Sequence, residues 1–149
     1  IHYSSDSGRN TMNLETLKLE TLQSDLDKSP TLKKRVEEVS QLLSEKGHGY
    51  AFDPFTILII IGIIINIIRA IQECNKSRKT AFRRFKNPGL FGKRRVHQIL
   101  MNRLKEHENF QHHKNFVPDI KRFYYKTSES INLDEFSQIS KEIEVDFND

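Results

Sequence analysis

The residues with the clearest capacity for chemistry are arginines and lysines threaded between phenylalanines. Phe82, Phe85 and Phe91 are interleaved with Arg83, Arg84, Lys86, Lys93, Arg94 and Arg95. Cationic side chains neutralise phosphates, and rings between them can stack bases or hold a phosphate-contacting loop. The same residues can instead anchor a segment at a bilayer surface or plug a small helical core. No complete nucleic-acid motif accompanies them. Residues 69–105 carry twelve basic side chains against the single acid Glu73, a net of +11, whereas residues 1–53 carry −2 and residues 106–149 carry −5. Such a block suits phosphates, anionic lipid heads or an acidic protein partner.

Other reactive types are sparse. His107, His112 and His113 lack the i,i+4 pair with a carboxylate that a helical metal site needs, so they read as a solvated helix end. Cys74 is the only cysteine, which excludes an internal disulfide and a cysteine-built zinc site. Gly47-His48-Gly49 lacks the spaced glycines and Lys-Ser/Thr ending of a phosphate loop and reads as a hinge. Asn75-Lys76-Ser77 matches a glycosylation acceptor but sits in the basic block. With no nucleophile–base pair, nucleotide cradle or paired carboxylates, the expectation is a non-enzymatic protein with no cofactor, metal or small-molecule substrate.

The elements that must position the basic block read as helices throughout. Of the 149 residues, 36% are apolar and 30% charged, and ten of the sixteen isoleucines fall between Ile57 and Ile71. That concentration excludes a uniformly patterned globular enzyme, a fully disordered chain and a multi-span membrane protein. Ile1–Thr11 is polar and reads as an arm ahead of Met12. Leu14, Leu17, Leu22 and Leu26 suggest a short amphipathic helix after it. Ser29-Pro30 supplies an N-cap and a first-turn proline, Leu32, Val36, Val39 and Leu43 form one apolar seam, and Gly47 can end that helix.

Asp53-Pro54 repeats the start signal, and the helix that follows should run from Pro54 to about Asn75, roughly 31 Å at helical rise. Its uncharged stretch Phe55–Ile68 reaches only about 21 Å, short of the ~30 Å hydrocarbon core of a bilayer. Gly62, Asn66, Arg69 and Glu73 recur at spacings of 4, 3 and 4. They share a sector of about 60° on an otherwise isoleucine-covered cylinder. With Ile59, Ile63 and Ile67, this stripe is the candidate interface to other helices, and Arg69 and Glu73 are also spaced to pair with each other. A helix apolar around most of its circumference must be buried by protein or lipid. The other helices have narrow apolar faces, so the expectation is that further chains do the covering.

Asn87-Pro88-Gly89 makes a turn. Val96, Ile99, Leu100 and Leu104 define a helix over Lys93–Phe110; Ile120, Phe123 and Tyr124 define another after Pro118. Ile131, Phe136, Ile139 and Ile143 define the last, with Asn132 as N-cap and acidic residues in its first turn. The expected architecture is all-α: short amphipathic helices around or flanking one long isoleucine-rich helix. Its regions are an arm and short helix (1–28), a helical hairpin (29–79) and a basic-then-acidic helical region (80–149).

Phe52-Asp53-Pro54-Phe55-Thr56-Ile57-Leu58, running on to Ile67–Cys74 (IIRAIQEC), resembles small isoleucine-rich-helix proteins of marine contractile-tailed phages of the myovirus type. Those share a DP-[FL]-T-I start, an isoleucine-rich helix and an IQ-x-C ending before a basic tail. The resemblance covers about 25 residues and implies a phage or virion setting, with no catalytic residue to carry over. Three functions therefore stand as expectations. The first is a structural or assembly protein of a phage particle, embedded among other subunits through the hydrophobic helix, its basic segment on nucleic acid or an acidic partner. The second is a single-span or interfacial membrane protein with its acidic side out and basic side cytoplasmic. The third is a soluble nucleic-acid-binding helical module whose apolar helix is its core.

Overall fold

Ser29-Pro30 does open a helix. In the computed structural model, which describes residues 27–45, 54–105 and 115–148, α1 spans Pro30–Glu45. The Leu32 amide donates to Ser29 Oγ at 3.2 Å, and the proline ring occupies a position whose amide would have had no partner. All four seam residues, Leu32, Val36, Val39 and Leu43, are buried.

The apolar helix α2 spans Pro54–Cys74, one residue short of the expected end. Helices α1, α3 (Arg78–Lys86), α4 (Gly89–Lys105) and α5 (Val117–Ser130) all pack against it. Here the structure corrects the expectation that other chains must cover this helix. Ile59, Ile63 and Ile67 are 1%, 1% and 5% exposed within the single chain. The reason is geometric. Each surrounding helix offers a narrow stripe, such as Ala81 and Phe85 or Val96, Leu100 and Leu104, but four stripes arranged around one cylinder close over most of it.

Helix α3 lies where sequence periodicity gives little signal, because nine residues of mostly basic sequence carry only Ala81 and Phe85 as buried positions. Ser77 caps its start, accepting from the Thr80 amide. Gly89, at φ +70°, supplies the left-handed turn between α3 and α4 that a side chain would resist. α4 consequently begins four residues before Lys93, and its expected end at Phe110 lies outside the described residues. So do the N-terminal leucine helix, Gly47-His48-Gly49, Asp53 and the three clustered histidines.

The last helix, α6 (Leu133–Glu142), carries a full capping box: the Glu135 amide donates to Asn132 Oδ1 at 2.8 Å and the Asn132 amide to Glu135 Oε1 at 3.1 Å. Phe136 meets Phe82 edge-on and Phe85 tilted, both at 5.4 Å between centroids. The tail beyond α6 returns to the α2–α3 junction, where the Asn148 amide donates to the Lys76 carbonyl at 2.7 Å and Gln72 Nε2 to the Asp146 carbonyl at 3.0 Å. Residues from 29–79 and 80–149 thus share one hydrophobic core.

Two carboxylates tie α6 to α1. Glu142 accepts the Ser29 hydroxyl at 2.5 Å and the Thr31 hydroxyl at 2.9 Å; Arg35 Nη2 reaches Glu135 at 2.6 Å. Desolvation pushes the Glu142 carboxyl up, but hydrogen bonds from Ser29, Gln138 and Thr31 outweigh it and hold the group below its ordinary 4.5. Desolvation also opposes ionisation of Glu135, where bonds from Arg35 and the Asn132 backbone, with the nearby charges of Arg35 and Lys86, prevail. Both depressed values mean the unfolded chain takes up protons first as pH falls. Their contribution to stability is complete above about 4.5 and is lost as pH drops through the folded values. The urea midpoint should therefore decline below that pH, and Glu135→Gln with Glu142→Gln should flatten the decline. An unaltered pH profile in the double variant would assign the acid sensitivity to other groups.

Candidate polyanion-binding face

Helix geometry sorts the basic residues by direction. On α3, Ala81 and Phe85 turn inward, which leaves Arg83 and Arg84 exposed. On α4, Val96, Leu100 and Leu104 turn inward, and Lys93, Arg94 and Arg95 are exposed. Arg94 lies over the Phe91 ring at 5.9 Å, a cation–π contact that holds its guanidinium near the ring. None of these five basic residues has a carboxylate partner among the described residues.

Lys86 is the exception. Its ammonium turns toward the end of α5 and donates to the carbonyls of Ser128 at 3.2 Å, Ile131 at 2.8 Å and Glu129. It is a tether for the C-terminal end of that helix, where free carbonyls and the helix dipole attract a cation. Burial lowers its pKa, against the opposing charges of Glu129 and Glu135. Lys86→Met, which keeps the aliphatic stem, should cost about 1–2 kcal/mol in urea unfolding and leave polyanion affinity nearly unchanged. A large affinity loss with intact stability would return Lys86 to the binding set.

Arg84 and Arg95 come together at a groove of about 240 Å³ between the end of α2, α3, α4 and Tyr124 of α5. Its walls are largely apolar, and no Asp or Glu lines it among the described residues. Phe91, at the rim, is 81% exposed. Tyr124 is buried, and desolvation, with the neighbouring Tyr125 adding to it, pushes its phenol well above the ordinary range. Lys93 faces a second, more polar concavity with Lys86, Lys121 and Tyr125, where Glu129 also lies. Of the six basic residues of the sequence pattern, Arg84 and Arg95 thus line the groove, Lys93 lines the second concavity with Lys86, which also caps α5, and Arg83 and Arg94 are exposed and line neither.

The stripe on α2 is also divided. Gly62, Ile59, Ile63 and Ile67 are buried within the chain, Asn66 and Arg69 are half-buried, and Glu73 is exposed. Arg69 and Glu73 form no ion pair. Cys74 is free and exposed. Among the described residues, no three His, Cys, Asp or Glu side chains gather as a metal ion would require. Sequence reasoning missed Tyr124 as a groove residue, because its i,i+4 relation to Ile120 marks it only as core. It also missed Lys121 and Tyr125, whose approach to Lys93 joins helices distant in sequence.

Comparison with protein families, curated proteins and solved structures finds no match to this chain. Its class therefore rests on its own geometry: an all-helical protein with one isoleucine-rich core helix and a basic face.

Proposed function

We propose that this is a non-enzymatic helical module that binds a polyanion through α3 and α4, with nucleic acid as the polyanion. One observation carries the reading: eight isoleucines of α2 are buried inside the chain, while Arg83, Arg84, Lys93, Arg94 and Arg95 face solvent with no acidic partner among the described residues. A buried α2 is what a soluble module needs for a core, and unpaired surface cations are what a phosphate backbone recruits. The resemblance to marine phage proteins supports a virion setting, in which the module would sit on genome beside other subunits.

The membrane reading retains the support of α2, the one described helix long and apolar enough to cross a bilayer. Insertion would strip the cover from the apolar faces of α1, α3, α4 and α5 together, which argues for the soluble form. Fluorescence anisotropy with labelled oligonucleotides across a salt series tests the proposal. Affinity should fall linearly in log–log form, by about 0.7–0.9 per phosphate neutralised. A protein that ignores oligonucleotides at low salt and fractionates with membranes would overturn it.

A further inference from the structure

We infer that the groove between Arg84 and Arg95 receives an unpaired nucleobase, so that the protein prefers single-stranded to duplex nucleic acid. This rests on the polyanion reading and narrows it. The two arginines reach the groove from different helices with no carboxylate on its lining among the described residues, so an anionic group at the mouth is complementary. Behind them the walls are apolar and aromatic, with Phe85 inside and Phe91 standing 81% exposed at the rim. A solvent-facing ring beside guanidinium groups is a stacking platform.

The separate observation is Tyr124. It lines the groove at 2% exposure, and its hydroxyl has no hydrogen-bond partner among the described residues. A buried hydroxyl left unpaired is costly, so native structures satisfy it with protein, ordered water or a ligand, and an occupant of the groove can take that place. The occupant therefore has a flat apolar body, a polar edge to meet Tyr124 and a negative charge outside. A nucleobase on its phosphate has all three. An acyl chain under an anionic head would match the arginines and walls but leave the phenol unpaired. The groove, about 240 Å³, has room for one heterocycle. A paired base cannot enter without leaving its stack, whereas single strands splay their bases freely.

The chain contains no tryptophan, so Phe91→Trp places one fluorophore at the rim. Full-length protein carrying it should be titrated with a single strand, the same strand with abasic sites, and a duplex of equal length. Quenching by the base-bearing strand alone is expected, with about tenfold tighter binding than the abasic strand. In the otherwise native protein, Tyr124→Phe should weaken single-strand binding and leave duplex binding and thermal stability unchanged or higher. Equal affinity for base-bearing and abasic strands without quenching would overturn the pocket and leave the polyanion reading standing. Binding to none of the three would overturn both. Quenching by anionic phospholipid vesicles in place of oligonucleotides would reassign the groove to a lipid headgroup.

Discussion

Replacing Arg83, Arg84, Arg94 and Arg95 together by glutamine is expected to weaken nucleic-acid binding by on the order of 10³-fold at ~0.1 M salt. Each phosphate contact releases most of one counterion, so four lost contacts should also lower the slope of log affinity against log salt by about 3. These four side chains are exposed and no carboxylate pairs with them among the described residues. Their loss should therefore leave the urea midpoint nearly where it was. Anisotropy measurements at several salt concentrations give both numbers. A reduced affinity with an unchanged slope would mean that the arginines act through local shape and not by neutralising phosphates. No change in either quantity would leave the basic block as solubilising charge.

Truncating the core of α2 should have the largest effect on stability. Ile64 is 0% exposed and lies midway along the helix. Ile64→Ala removes its branched side chain from a packed interior and should cost about 2–5 kcal/mol, against ~0.5–1.5 kcal/mol for Ile64→Val. Domains of this size are stable by only about 5–15 kcal/mol, so the alanine variant should unfold at a much lower urea concentration. That gradation distinguishes a core helix from a lipid-facing one. If the wild type is soluble and Ile64→Ala leaves its unfolding midpoint unmoved, α2 is not the core described above.

Much of the local structure was legible from residue types alone. Ser29-Pro30, Asn132 with Glu135, and Asn87-Pro88-Gly89 act on backbone groups within a few residues, and their chemistry does not depend on distant parts of the chain. The all-α class, the seam Leu32–Leu43 and the basic block follow in the same way from periodicity and charge. Helix α3 escaped because its two buried residues, Ala81 and Phe85, are too few to show a period among arginines and lysines.

What the chain does with its isoleucine helix belonged to tertiary structure. Periodicity describes one helix at a time, and no single helix here has a face wide enough to cover α2; only the arrangement of α1, α3, α4 and α5 around it does. The same limit applies to the site. Lys86 and Arg84 stand two residues apart and look equivalent in sequence. Yet one turns toward the carbonyls at the end of α5, while the other lines a groove with Arg95 and Tyr124. A side chain's charge is set by its type, whereas its partner is set by what the fold brings within hydrogen-bonding distance. The basic block was therefore determined by sequence, and the groove only by packing three helices and Tyr124 together.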